Sequence, residues 1–277
     1  MRYSVLFTLM AVIATTFESC DRMVSLSFDP GIPGYTQSPD RTILLKKALR
    51  EISGIHDLNE TELLGINDED GTLFFINKVT GRFREQTFGK QGDYEDLAIT
   101  PYGYYILASN GDLHHVDRSS GKETAVYSRS FPKFVEFESL CYDKKHDQLL
   151  LICKSCGPND PYINAWRFDP KTNSFDPNPV FSIPWTEIRK KGKDDTIECL
   201  PSAAAIHPVT GRLFIIASMG KVMLQSTVSG ELEAVYGINP DIFQQPEGLC
   251  FAPDGDMYIT NEGRQSKASL LYYPYKR

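Results

Sequence analysis

From about residue 50 to the end, short apolar stretches alternate with polar turns in a repeating order. A pair of small or acidic residues opens an apolar strand five times: Ile52-Ser53-Gly54-Ile55, Tyr94-Glu95-Asp96-Leu97, Phe137-Glu138-Ser139-Leu140, Leu200-Pro201-Ser202-Ala203 and Pro246-Glu247-Gly248-Leu249. Their third residues recur at intervals of 42, 43, 63 and 46 positions. After each copy come a turn, a second apolar strand such as Tyr105-Ile106-Leu107-Ala108, and a third such as Val222-Met223-Leu224-Gln225. Four of the third strands run into a second turn, at Thr80-Gly81, Ser120-Gly121, Thr172-Asn173 and Ser229-Gly230. Gly and Asn there supply the positive φ that tight hairpins need. Four-stranded antiparallel units of about 40–50 residues are the mark of a propeller. The pattern therefore predicts an all-β, five-bladed β-propeller of four-stranded antiparallel blades, with six blades as the alternative count.

The fifth unit stops after its third strand, at Tyr273-Pro274-Tyr275-Lys276-Arg277, which would leave an open edge. The stretch Thr42–Leu49 stands before the first motif with no other role, and it is expected to close the ring by pairing with the last blade. Its pattern Leu44-Leu45-Lys46-Lys47-Ala48-Leu49 also fits one helical turn. The third unit carries two insertions, Ser155–Asp160 and the polar Glu187–Asp195; the second predicts a short helix over one face.

The N-terminus reads differently. Val5 to Phe17 is apolar apart from Thr8, Thr15 and Thr16, too short to span a bilayer, and preceded by Arg2. It ends in Phe17-Glu18-Ser19-Cys20, which resembles a bacterial lipoprotein signal with Cys20 as the lipidated residue; ordinary secretion is the alternative. The expected organisation is a signal peptide over 1–19, a tether over 20–41 rich in Pro and Gly, and a single propeller over 42–277. On this reading the protein sits in the bacterial cell envelope, in the periplasm or on the outer-membrane surface. It is held by its lipid alone and is monomeric.

Composition narrows the classes of function. With 41% hydrophobic and 23% charged residues among 277, the chain is globular rather than disordered. Its 29 Lys and Arg against 36 Asp and Glu give a formal charge of −7, which offers no basic excess for nucleic acid. Beyond Cys20 there are five cysteines. Cys153-Lys154-Ser155-Cys156 has CxxC spacing, but no second CxxC or thioredoxin-like pattern accompanies it. Cys141 and Cys250 fall at equivalent inner-strand positions and read as buried thiols.

The ordered motifs Ser-Gly-Ile, Glu-Asp-Leu, Phe-Glu-Ser-Leu-Cys-Tyr-Asp, Pro-Ser-Ala-Ala and Pro-Glu-Gly-Leu resemble the SdiA-regulated, YjiK-like family of bacterial envelope propellers, over roughly Leu45 to the C-terminus. That resemblance implies a propeller in the envelope and no established reaction. The stretch Pro246–Glu262 also resembles repeats of NHL proteins and gluconolactonase- or paraoxonase-like propellers, which implies acidic and Asn side chains holding calcium or a similar ion.

In a propeller the residues that open the first strand and close the second meet at one end of the channel. The openers are Glu95, Glu138 and Glu247, with Asp96 beside them; the closers are Asp68, Asn110, Asn261 and Glu262. Converging oxygens suit a hard cation, calcium before magnesium. Alternatively, each Glu clamps backbone N–H groups of the neighbouring blade. Two classes of function follow. One is a non-catalytic binding or scaffold module for a protein, glycan or small molecule. The other is a metal-dependent ester or lactone hydrolase, which would also need a general base. No nucleophile elbow or His-Glu-x-x-His motif is present.

Overall fold

The computed structural model describes residues 31–158, 160–263 and 266–277; the leader and Cys20 lie outside them. Five antiparallel sheets stand around a central channel. Blade 1 holds β2 (Ile52–Asp57), β3 (Glu62–Asn67), β4 (Thr72–Asn77) and β5 (Phe83–Thr87). Blade 2 holds β6 (Tyr94–Thr100), β7 (Gly103–Ala108), β8 (Leu113–Val116) and β9 (Glu123–Tyr127). Blade 3 is β10 (Glu136–Asp143), β11 (Gln148–Ser155) and β12 (Tyr162–Asp169), with an outer strand in two pieces, β13 (Ser174–Phe175) and β14 (Phe181–Pro184). Blade 4 is β15 (Leu200–Ile206), β16 (Leu213–Met219), β17 (Val222–Ser226) and β18 (Leu232–Gly237). Blade 5 is β19 (Pro246–Phe251), β20 (Met257–Asn261) and β21 (Ser269–Tyr273), completed by β1 (Arg41–Leu44). Five blades, not six, is thus the count.

Ring closure follows the sequence reading. β1 pairs antiparallel with β21, Arg41 opposite Tyr272 and Leu44 opposite Ser269. The helical alternative is also realised just beyond it, because Lys47–Leu49 forms a single 3-10 turn that buries Leu49. The described part of the expected tether is held to the last blade. Ile32 and Tyr35 pack against the apolar cluster between blades 4 and 5, and Tyr35 donates its hydroxyl to Gly255 O at 2.5 Å. The insertion after blade 3 forms helix α1 (Trp185–Gly192), ended by Lys193 in the left-handed conformation at φ 56°. It buries Ile188 and lies along β18, the outer edge of blade 4.

Burial explains why the ring holds. The second strands are near-continuous apolar runs because both faces of the sheet there meet a neighbouring blade, whereas outer strands such as β5 and β9 are more polar and largely exposed. Among the described residues there are five apolar clusters, one at each blade interface. The cluster between blades 5 and 1 joins Cys250, Tyr258 and Leu270 to Ile55, Leu63 and Phe74, and it takes in Leu45 and Leu49 from the closing segment.

One local device is common to all five inner strands and sets up the site. Each pairs with its second strand through a β-bulge near its start. Tyr94 faces Ala108 and Asp96 faces Leu107, so Glu95 is the extra residue. The same skipping leaves out Ser53, Glu138, Ser202 and Glu247 in the other blades. A bulge re-aims the side chain of the unpaired residue. In blade 4 the equivalent of Glu95 is therefore Ser202 and not Pro201, as the sequence alignment had it.

Candidate functional site at the two mouths of the channel

The five bulge residues divide into two kinds. The serines tie blades together: Ser53 donates to Tyr94 O at 2.9 Å and Ser202 to Pro246 O at 2.7 Å, each in the next blade. The glutamates gather at one mouth. Glu138, with 12% of its side chain exposed, is ion-paired with Lys154 at the end of β11. Glu95 and Glu247 lie within electrostatic reach of both.

Burial dominates the protonation of this cluster. Desolvation, then the charges of Glu138 and Asp93, raises Glu95 to about 9, against a smaller opposing pull from Lys154. Desolvation and Glu138 raise Glu247 to about 8. Glu138 is raised by burial, with Lys154 working against the rise. Lys154 itself is raised: burial would lower it, but the Glu138 partnership outweighs that. The Glu138–Lys154 ion pair thus sits beside two carboxyls, Glu95 and Glu247, that burial keeps protonated at neutral pH.

The donor set expected to converge on calcium is only partly brought together. Asn261 is spent in structure. Its side chain accepts from Gln245 N and donates to Ile242 O and Ser269 Oγ. Asn110 lies on the exposed β7–β8 turn, bonded to Asp112. Asp68 and Glu262 do close their strands beside the mouth. Asp68 is raised to about 6 by burial, then by Glu51, Glu69 and Glu262, and Glu262 accepts from Gln245. Among the described residues no three His, Cys, Asp or Glu side chains are gathered for a metal. The residues present therefore do not fit a calcium centre while Lys154 occupies it.

Nor are the glutamates the inter-blade clamp. That role goes to Asp96, one position on. Its carboxylate accepts from Leu97 N and, in blade 3, from Leu140 N, both at 2.7 Å. Sequence reasoning passed over Lys154 because it sits inside Cys153–Cys156, which are joined as a disulfide. Placing it at the same strand-end position as Asp68 and Glu262 would have found it. Cys141, Cys199 and Cys250 are free and buried.

Replacing Lys154 with Met tests the internal cation. Folded-state values above the ordinary carboxylate range mean stability that is full below the ordinary value of 4.5 and is lost progressively as pH rises to the folded values of about 8 and about 9. Without the ammonium the carboxyls hold their protons to higher pH, so that loss should be steeper and run further. We expect a loss under about 1 kcal/mol at pH 5 and roughly 1–3 kcal/mol at pH 8.5, discounted for the partly exposed Lys154 head. Urea unfolding at both pH values measures it; equal losses would show that Lys154 acts by packing alone.

The opposite mouth is a funnel of about 1070 Å³. Its walls come from the far ends of the inner strands and include Ile55, Leu97, Ile99, Ile206, Leu249 and Phe251. Its rim is supplied by turns and carries Arg118, Lys144, Lys145 and Arg212. His56 lies on its wall; burial lowers its pKa and leaves it neutral, with Nδ1 3.0 Å from Asp57 O. Ile55, Leu97 and Leu249 belong to the repeated motif, but none of the rim residues stood out in the sequence.

The chain is a five-bladed β-propeller, and its structural neighbours are of propeller type. Glutaminyl cyclase from Myxococcus xanthus aligns at 10% identity and TM-score 0.58, over 86% of this chain and 97% of that one. The PQQ-bound aldose sugar dehydrogenase from Streptomyces coelicolor aligns at 12% and 0.53, over 86% and 98%. A protein of unknown function from Bacteroides thetaiotaomicron aligns at 14% and 0.55, over 76% and 52%. At such identities the likeness is one of fold, and the neighbours differ in what they do. No family model matches the chain, and no curated protein matches it.

Proposed function

We propose that the protein is a non-catalytic ligand-binding propeller of the bacterial cell envelope, with the funnel as its binding site. The observation that carries this is the funnel itself. It is a concave, largely apolar chamber of about 1070 Å³ at the channel end away from the buried Glu–Lys cluster. Ligand sites are characteristically concave, apolar and few in number. The envelope location is supported by the apolar leader ending at Cys20 and by the Cys153–Cys156 disulfide, which suits an oxidising compartment. Membership of the SdiA-regulated family is supported by the five ordered motifs alone.

A neutral solvatochromic dye such as Nile red should bind the folded protein saturably, at one site per chain, and be released on unfolding. Binding without saturation, or stoichiometry of several dyes per chain, would count against a single chamber.

The hydrolase reading is favoured by one feature, the proton-holding Glu95 and Glu247 beside Lys154. Calcium there would have to displace the Lys154 ammonium. The Lys154→Met variant at pH 8.5 is therefore the protein in which a rise in melting temperature on adding calcium is expected, if that reading holds.

A further inference from the structure

The rim of the funnel is basic, in a chain whose formal charge is −7. The acids at the funnel are already engaged. Asp57 is ion-paired with Lys78. Asp143 accepts from Lys145 N and His146 N at 3.1 and 3.2 Å and is paired with the His146 ring. Of the rim cations, only Arg212 is neutralised, by Glu233 at 2.8 Å. Arg118 lies 5.5 Å from the Tyr104 ring centre, which leaves its charge uncompensated. Lys144 and Lys145 are exposed and have no ion-pair partner among the described residues. Three free positive charges therefore ring the opening of an apolar chamber.

Building on the reading of the funnel as a binding site, we propose that its ligand is an amphipathic anion, a long-chain carboxylate. The acid head is held at the rim by Arg118, Lys144 and Lys145. The alkyl chain runs inward past Ile99, Ile206 and Phe251. Charge at the rim draws the head group and fixes its orientation. Burial of the chain supplies the affinity. A free phosphate would meet the rim charges but leave the apolar wall uncovered. A cationic amphiphile would meet like charge at the entrance.

Calorimetric titrations with dodecanoate, dodecyltrimethylammonium, dodecyl maltoside and acetate, all below their micellar concentrations, test this. Dodecanoate should bind saturably and at least about tenfold more tightly than the other three. Its affinity should fall as salt rises, since exposed charges are screened. The double variant Lys144→Glu/Lys145→Glu should lose at least about tenfold for dodecanoate and none for dodecyl maltoside. Both lysines are exposed, and Lys144→Ala/Lys145→Ala serves if charge reversal disturbs folding. Equal binding of the three amphiphiles would overturn the anion assignment and leave the funnel reading standing. Acetate binding as tightly as dodecanoate would overturn the apolar part. Binding by no amphiphile and no saturable dye site would remove both.

Discussion

Replacing Asp96 with Ala should cost about 2–5 kcal/mol in urea unfolding, because two buried backbone donors lose their acceptor together. The side chain is only 5% exposed and spans two blades, reaching Leu97 N in its own strand and Leu140 N in the next. Burial raises its pKa well above the carboxylate range, and the two N–H groups oppose that rise. The site is tight as well: a Cβ on Gly54 of blade 1 would fall 2.6 Å from Asp96 Oδ1 and 2.8 Å from its Cα. An Asn in its place keeps the size but offers one acceptor oxygen to two donors, so about 1–3 kcal/mol should be lost. Glu95→Gln, one residue away, should cost under about 1 kcal/mol at pH 7, since Glu95 already carries its proton there. If Asp96→Ala loses no more than Glu95→Gln, the clamp assignment fails.

Shortening the N-terminus should give a graded and then abrupt loss. A chain beginning at Gly31 keeps every contact described here and is the reference. One beginning at Arg41 loses Ile32 and Tyr35. The Tyr35 ring lies 5.3 Å from Tyr275 and 6.1 Å from His207, and its removal exposes the cluster between blades 4 and 5. That step should cost roughly 2–4 kcal/mol. A chain beginning at Glu51 also loses β1, Leu45 and Leu49. Blade 5 is then left with β21 as a bare edge beside a stripped apolar cluster. This form should fail to give a cooperative melt and should aggregate, as open edges do. Thermal unfolding of the three chains checks the order; matching melts for the second and third would dismiss closure through β1.

The blades were legible in the sequence because their signal is local. Apolar runs such as Leu213–Ile216, with a Gly or Asn at most of the tight turns, identify a strand and a hairpin wherever they occur. The mouth was legible only in part. Which residue bulges depends on how two strands pair, and that is not written in either strand alone. The alignment therefore set Pro201 where Ser202 belongs. Among the closers it had Asp68 and Glu262 in place, but it added Asn110 and Asn261, each one residue away from the equivalent position, which Ser109 holds in blade 2 and Lys154 in blade 3. A slip of one residue turns a side chain to the other face, which is why those two asparagines proved structural. The funnel was invisible for another reason. Its rim is drawn from turns distant in the chain, Arg118 after β8, Lys144 and Lys145 after β10, and Arg212 before β16, each unremarkable in its own segment.

The shared bulge separates two kinds of inheritance in this chain. The pairing that creates it belongs to the backbone and is repeated in every blade, whether its occupant is Ser or Glu. The occupant can therefore change without redrawing the sheet: the same position serves in two blades as a serine tie to the next blade and in three as a carboxyl at the mouth. A duplicated blade can thus trade one role for the other while the architecture around it stays as it is.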